Sequence, residues 1–186
     1  MRLRLIPPLS LPLSLAAVAL AVLPGCGADV PQDAAALAPK TDAQPSEQDK
    51  TWMRAIHQGN LAEVQAGRLA KHKGVGQQVE AVGEMLVKDH TKLDAALTQA
   101  ATRLGVQLPT SPSAGQRQDL LRMEDATGED FDQDFLSSMI KAHKAALAAT
   151  KTEISKGSSP AVVALAKTAA PSLQEHLSAL RRAQGD

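Results

Sequence analysis

From residue 49 onward the chain carries apolar residues at intervals of three and four, the period of an α-helix with one buried face. Val79, Val82, Leu86, Leu93 and Leu97 form one such stripe. Leu136, Ile140, Leu147 and Ile154, flanked by Phe135 and Met139, form another. Val162, Leu165, Ala169, Leu173, Leu177 and Leu180 form a third, and Trp52, Ile56, Leu61 and Val64 a sparser one. The spacing predicts helices over 49–72, 77–104, 130–155 and 160–183. Gly74 and Gly76 separate the first two, and Gly157 with Ser159-Pro160 the last two, a serine N-cap followed by proline at the first helical position. Gly105, Pro109 and Pro112 open a longer crossover. Within it, Ser113 and Gln116 have the spacing of a capping box and predict a short helix over 114–124. Thr127 and Asp130 repeat that spacing before the third long helix. Pro171 lies inside the last helix, where its ring and missing N–H predict a kink, or a break into two.

An isolated amphipathic helix is marginal in water, so the stripes must be buried against one another. Two hairpins joined by one long connection give an all-α, antiparallel four-helix bundle with a short crossover helix, a layout that includes ferritin-like folds. Composition agrees. Trp52, Phe131 and Phe135 are the whole aromatic complement, and tyrosine is absent. All-β folds rely on aromatic and β-branched runs that this chain lacks. The same poverty argues against stacking platforms for bases or sugars, and a formal charge of zero gives no basic footprint for nucleic acid.

Ahead of the helices, Arg2 and Arg4 precede an apolar stretch from Leu3 to Leu23, the pattern of an export signal over residues 1–25. Pro7, Pro8 and Pro12 interrupt it, which disfavours a membrane-spanning helix. Leu23-Pro24-Gly25-Cys26 resembles a bacterial lipobox, with Pro24 as the unusual member. Cys26 is the only cysteine and is the expected site of lipidation, so the partner expected first is a lipid bilayer holding acylated Cys26. Gly27 is not the aspartate that resembles an inner-membrane retention signal, which points to outer-membrane anchoring facing the periplasm. Residues 26–48, with three prolines and few large apolar groups, read as a flexible linker. Residues 49–186 are then the single bundle domain.

Polar residues that interrupt the apolar stripes are the candidates for function. His90 falls in the series 79, 82, 86, 90, 93, 97. His143 falls in 136, 140, 143, 147, and His176 in 169, 173, 176, 180. Glu63 shares a small-residue face with Gly59, Gly67 and Ala70. Glu63 and His90 are equidistant from the first hairpin turn, His143 and His176 from the second. The two half-spans differ by about three residues, roughly 4.5 Å of helix rise, so all four groups could share one layer. One carboxylate and three imidazoles suit a divalent transition metal such as zinc, iron, manganese or copper. A buried, hydrogen-bonded polar network without metal is the competing reading. Asp89, Glu84 and Glu175 adjoin the stripes and are expected in solvent, although they could orient the histidines. His57 and His72 are expected at the surface. Val87 and Leu173 stand three residues before His90 and His176, so the Glu-x-x-His motif of di-iron bundles is missing. No nucleophile arrangement or phosphate loop stands out, and no catalytic residues are assigned. The Gly-x-Gly at 74–76 follows no strand.

The stretches GNLAEVQAGRLA (59–70), MLVKDHTKL (85–93), LPTSPS (108–113), FDQDFLSSMIKAHKAAL (131–147) and APSLQEHLSAL (170–180), in this order and spacing, resemble the exported, ferritin-like domain-of-unknown-function family 4142. The resemblance implies an envelope protein of four-helix form and no established reaction. It aligns Glu63, His90, His143 and His176 with the family's own Glu and His positions. This chain departs at Ala142, where the family often has Asp, so a carboxylate that could orient His143 is lost. Taken together, these features lead to the expectation of a non-enzymatic envelope lipoprotein that binds a protein partner or maintains the cell surface. A metal-binding or metal-responsive bundle is the first alternative, and a metal-dependent enzyme the second.

Overall fold

The computed structural model describes residues 44–185. The expected export signal, Cys26 and almost all of the expected linker lie outside the described residues. Five helices follow one another: α1 (Glu47–Lys73), α2 (Gln77–Leu104), α3 (Ala114–Asp125), α4 (Gly128–Lys156) and α5 (Pro160–Gln184). Helices α1, α2, α4 and α5 form an antiparallel four-helix bundle of ferritin-like layout. α1 packs on α2 and α4, α5 packs on α4 and α2, and the short crossover helix α3 lies against α1 and α4. No described helix is long and apolar enough to cross a membrane.

α1 starts two residues before the expected boundary because Ser46 and Asp49 form a capping box. The box predicted at Ser113 and Gln116 is present. The one predicted at Thr127 is not, since the Thr127 side chain makes no capping bond. Gly76 and Ser159 cap α2 and α5 without side-chain bonds of their own. The other hairpin supplies the missing acceptors. Asp132, the fifth residue of α4, accepts from the amides of Val75 and Gly76 at 3.2 and 2.9 Å. Asp49, in the first turn of α1, accepts from the amides of Ser158 and Ser159 at 3.0 and 3.2 Å. Each carboxylate satisfies otherwise orphaned donors at a helix N-terminus, where the helix dipole favours negative charge. These clamps also put the two hairpin turns at opposite ends of the bundle.

α5 runs unbroken through Pro171, which is exposed. The buried face of α1 differs from the expected stripe. Leu61 and Val64 are half-buried, and the core side instead carries Trp52, Met53, Ile56, Asn60, Glu63, Ala66, Gly67 and Ala70. Small residues there let α1 and α2 approach closely. A Cβ built on Gly67 would lie 2.6 Å from the Gly83 carbonyl oxygen, and one on Gly83 would lie 2.6 Å from Ala70 Cβ. On α4, Glu153 takes the buried place expected of Ile154. The apolar core divides into two clusters. One includes Leu86, Phe131, Phe135, Leu177 and Leu180. The other includes Trp52, Met53, Leu97, Val162 and Ala166. The polar residues of the site lie near mid-helix between them.

A candidate metal centre of three histidines and a glutamate

One long helix contributes each member: Glu63 from α1, His90 from α2, His143 from α4 and His176 from α5. The structure brings all four together. They meet at one depth although the two hairpin turns lie at opposite ends, because every member sits near the middle of its helix. The three histidines offer nitrogen atoms that lie within 4.8 Å of one another. Glu63 Oε2 lies 2.6 Å from His90 Nε2 and 3.6 Å from His143 Nε2. The rings are 0 to 1% exposed and Glu63 is 3% exposed, so bulk solvent does not reach these atoms.

Hydrogen bonds on the outer side of each ring decide which nitrogen faces inward. Asn60 donates its amide to the Asp94 carboxylate at 3.3 Å, which turns the Asn60 carbonyl oxygen toward His90 Nδ1 at 2.9 Å. That oxygen can only accept, so His90 Nδ1 carries hydrogen, and Nε2 is the atom presented to Glu63. His143 Nδ1 donates to the Met139 carbonyl at 2.9 Å, leaving the Nε2 lone pair inside. His176 Nε2 donates to Asp89 at 3.2 Å, leaving the Nδ1 lone pair inside. His143 Nε2 and His176 Nδ1 then face each other at 3.4 Å. Second partners that fix the tautomer and orientation of a ring are a regular feature of metal-ligating histidines.

Burial pushes the His143 imidazole below its ordinary value, although the Glu63 charge partly opposes it. Burial, reinforced by His90, pushes His176 down to about 4. Both rings are neutral at pH 7. Burial would raise the Glu63 carboxyl, but the imidazoles facing it, His90 first and then His143 and His176, hold it below the ordinary value.

The donor set passes a direct test of fit. Glu63 Oε2 and His90 Nε2 are buried, face each other at 2.6 Å, and have no other hydrogen-bond partner. An orphaned acceptor in a low-dielectric interior is costly, and a shared cation removes the cost. Ligands of a tetrahedral ion at bond lengths of about 2.0–2.1 Å stand roughly 3.4 Å apart, and the observed separations bracket that value.

Of the residues that orient the rings, the sequence offered Asp89 only as the less favoured possibility and did not point to Asn60 or the Met139 carbonyl. Asp89, expected in solvent, holds His176, and the carboxylate missing at Ala142 is replaced by the Met139 carbonyl. Asn60 gave no signal beyond its place one turn from Ile56 and Glu63. His57, expected at the surface, is 8% exposed. Its Nδ1 meets Asp94 at 2.7 Å and its Nε2 meets the Pro109 carbonyl at 2.9 Å, tying the crossover to the chain that ends at His90. His72 and Glu175 are exposed, and Glu84 pairs with Lys71 outside the bundle.

The architecture resembles two solved structures. A DUF305 fragment from Deinococcus radiodurans matches with a TM-score of 0.68 at 13% identity, over 77% of this chain and 99% of that one. CopM in its Cu(I)-bound form matches with a TM-score of 0.61 at 14% identity, over 72% of this chain and 93% of that one. At such identities the likeness is one of fold. No curated protein matches the sequence. The domain of unknown function DUF4142 matches residues 34–183, which span every helix but the last residue of α5, and the chain belongs to that family.

Proposed function

We propose that this protein binds a transition metal ion at the cell envelope, with Glu63, His90, His143 and His176 as ligands. This prefers the metal-binding alternative to the expectation of a partner-binding or maintenance protein. One observation carries it: every ring has its outer nitrogen occupied by a fixed acceptor, so three imidazole nitrogens converge beside a buried carboxylate. A metal-free network has no need to aim the lone pairs of His143 and His176 at each other. Imidazole and carboxylate donors suit copper(II) and zinc, with copper the tighter by the usual order of divalent ions. The fold shared with a copper-bound protein makes copper the first ion to test. Four protein ligands fill a tetrahedral shell, the arrangement of a binding or storage site rather than a catalytic one with an open position. Residues 1–25 and Cys26 supply the envelope address, with lipid on Cys26 and the linker placing the bundle beside the outer membrane.

The test uses the exported chain carrying Cys26→Ser, which also removes the competing thiol, purified without chelator or metal-affinity tag. Copper(II) and zinc affinities are measured by competition with a chromophoric chelator. The expected result is one ion per chain, bound about 100-fold more weakly by a His143→Ala variant of unchanged helical content. A parent that binds neither ion, or a variant that binds both equally well, makes the cluster a structural network. The partner-binding reading then takes its place.

A further inference from the structure

All four proposed ligands are buried, so an ion needs a path to them. A groove of about 330 Å³ runs between α1 and α4, with α3 at one side. Glu63 lines it, and none of the three imidazoles does. Its α4 wall is mostly alanine, including Ala142 and Ala145, which keeps the groove from closing into a packed seam. On the α1 wall, a Cβ added at Gly59 would meet only Glu63 Oε1, at 3.9 Å, so the space above the carboxylate is open. Asp119 and Lys141 also line the groove, and the Asp119 carboxylate is tethered to Arg122 at 3.0 Å. A second groove, of about 290 Å³, lies on the other side of α1, where Thr91 and Asp94 line it, and it reaches Asn60 but not Glu63.

We infer that the metal ion enters and leaves through the α1–α4 groove, with Glu63 as the first ligand it meets and the imidazoles taking it up behind. The inference rests on the metal-binding reading. The carboxylate is the one ligand with negative charge, and it stands between the groove and the rings. A hydrated cation exchanges its first water there, where attraction in a low-dielectric wall is strongest. It then exchanges the remaining waters for neutral nitrogens. Gly59 and the alanines set the width of the passage.

The test measures zinc uptake and release by stopped flow on the exported Cys26→Ser chain. Gly59→Leu and Ala145→Leu narrow the α1–α4 groove, and Thr91→Leu narrows the other. Leucine is a good helix former, so these changes leave the helices intact. The expected result is that the first two variants slow uptake and release together by about tenfold with an unchanged dissociation constant, while Thr91→Leu changes neither rate. Unchanged rates in the first two, or slowing by Thr91→Leu instead, would overturn the route. Slower uptake with a proportionally weaker constant would overturn it as well, because the substitution would then be acting on the ligands. A parent that binds no zinc sinks the metal reading itself, an outcome visible before any rate is compared.

Discussion

His143 Nε2 and His176 Nδ1 face each other at 3.4 Å across the α4–α5 seam, each with its other ring nitrogen held by an acceptor. Two acceptors aimed at one another are repulsive in a dry interior unless a cation lies between or beside them. The arrangement persists because the Met139 carbonyl and the Asp89 carboxylate fix the rings from behind.

Asp89 is therefore expected to matter to metal binding without touching the metal. Asp89→Ala releases His176 Nε2 and lets the ring change tautomer. Affinity should fall by about 10- to 100-fold with helical content unchanged. Glu175→Ala, at an exposed carboxylate one residue from His176, should leave affinity unaltered. Chelator competition on the two variants separates them, and equal effects would contradict the assigned role.

A second buried carboxyl gives a stability prediction independent of metal. Burial, with Asp49 close by, pushes Glu153 up to about 7 from 4.5. Its protonated form is favoured in the folded state, so its contribution is complete below pH 4.5 and fades as pH rises toward 7. The shift corresponds to at most about 3.4 kcal/mol. His143 and His176, pushed down by burial, tilt stability the opposite way, since neutral rings favour folding above about pH 6.5. Comparing the parent with Glu153→Gln isolates the one group. Glutamine keeps the shape of the protonated acid, so the variant should match the parent at pH 4.5 and exceed it at pH 8. Urea unfolding of chelator-treated protein at the two pH values checks this, and equal stability at pH 8 would contradict it.

The close approach of α1 and α2 supports the site from one to two turns away. At Gly83 an added methyl group meets Ala70 Cβ at 2.6 Å, and relieving that overlap must push the helices apart. Overpacking of this kind costs about 1–3 kcal/mol, against a gain of about 1 kcal/mol in helix propensity. Gly83→Ala should lower stability on balance and also weaken metal binding, because Glu63 and His90 stand on the two helices that separate. Gly115→Ala, where an added Cβ meets nothing within 4 Å, should be neutral or stabilising. Thermal unfolding of both variants provides the measurement.

Much of this was legible from periodicity. The helices, their order and the crossover follow from where apolar residues recur and where Gly and Pro interrupt them. His90, His143, His176 and Glu63 were legible for the same reason, as polar residues in apolar registers. The orienting groups were legible only in part. Asp89 occupies a position beside the stripe, and only the α2–α5 packing shows that it reaches His176. The Met139 carbonyl is backbone and has no sequence signal at all. Asp49 and Asp132 look like ordinary acids near helix N-termini, yet each caps a turn of the other hairpin. Burial of His57 depends on the path of the crossover, which sets the Pro109 carbonyl against its ring.

The most direct test of the metal centre is X-ray absorption at the zinc or copper edge, on the exported Cys26→Ser chain loaded with one equivalent of the ion. The account predicts a first shell of about four light atoms near 2.0–2.1 Å, with the outer-shell scattering of about three imidazoles. That scattering should be reduced or lost in the His143→Ala variant. A first shell of oxygen alone, without imidazole scattering, would place the ion elsewhere and contradict the account.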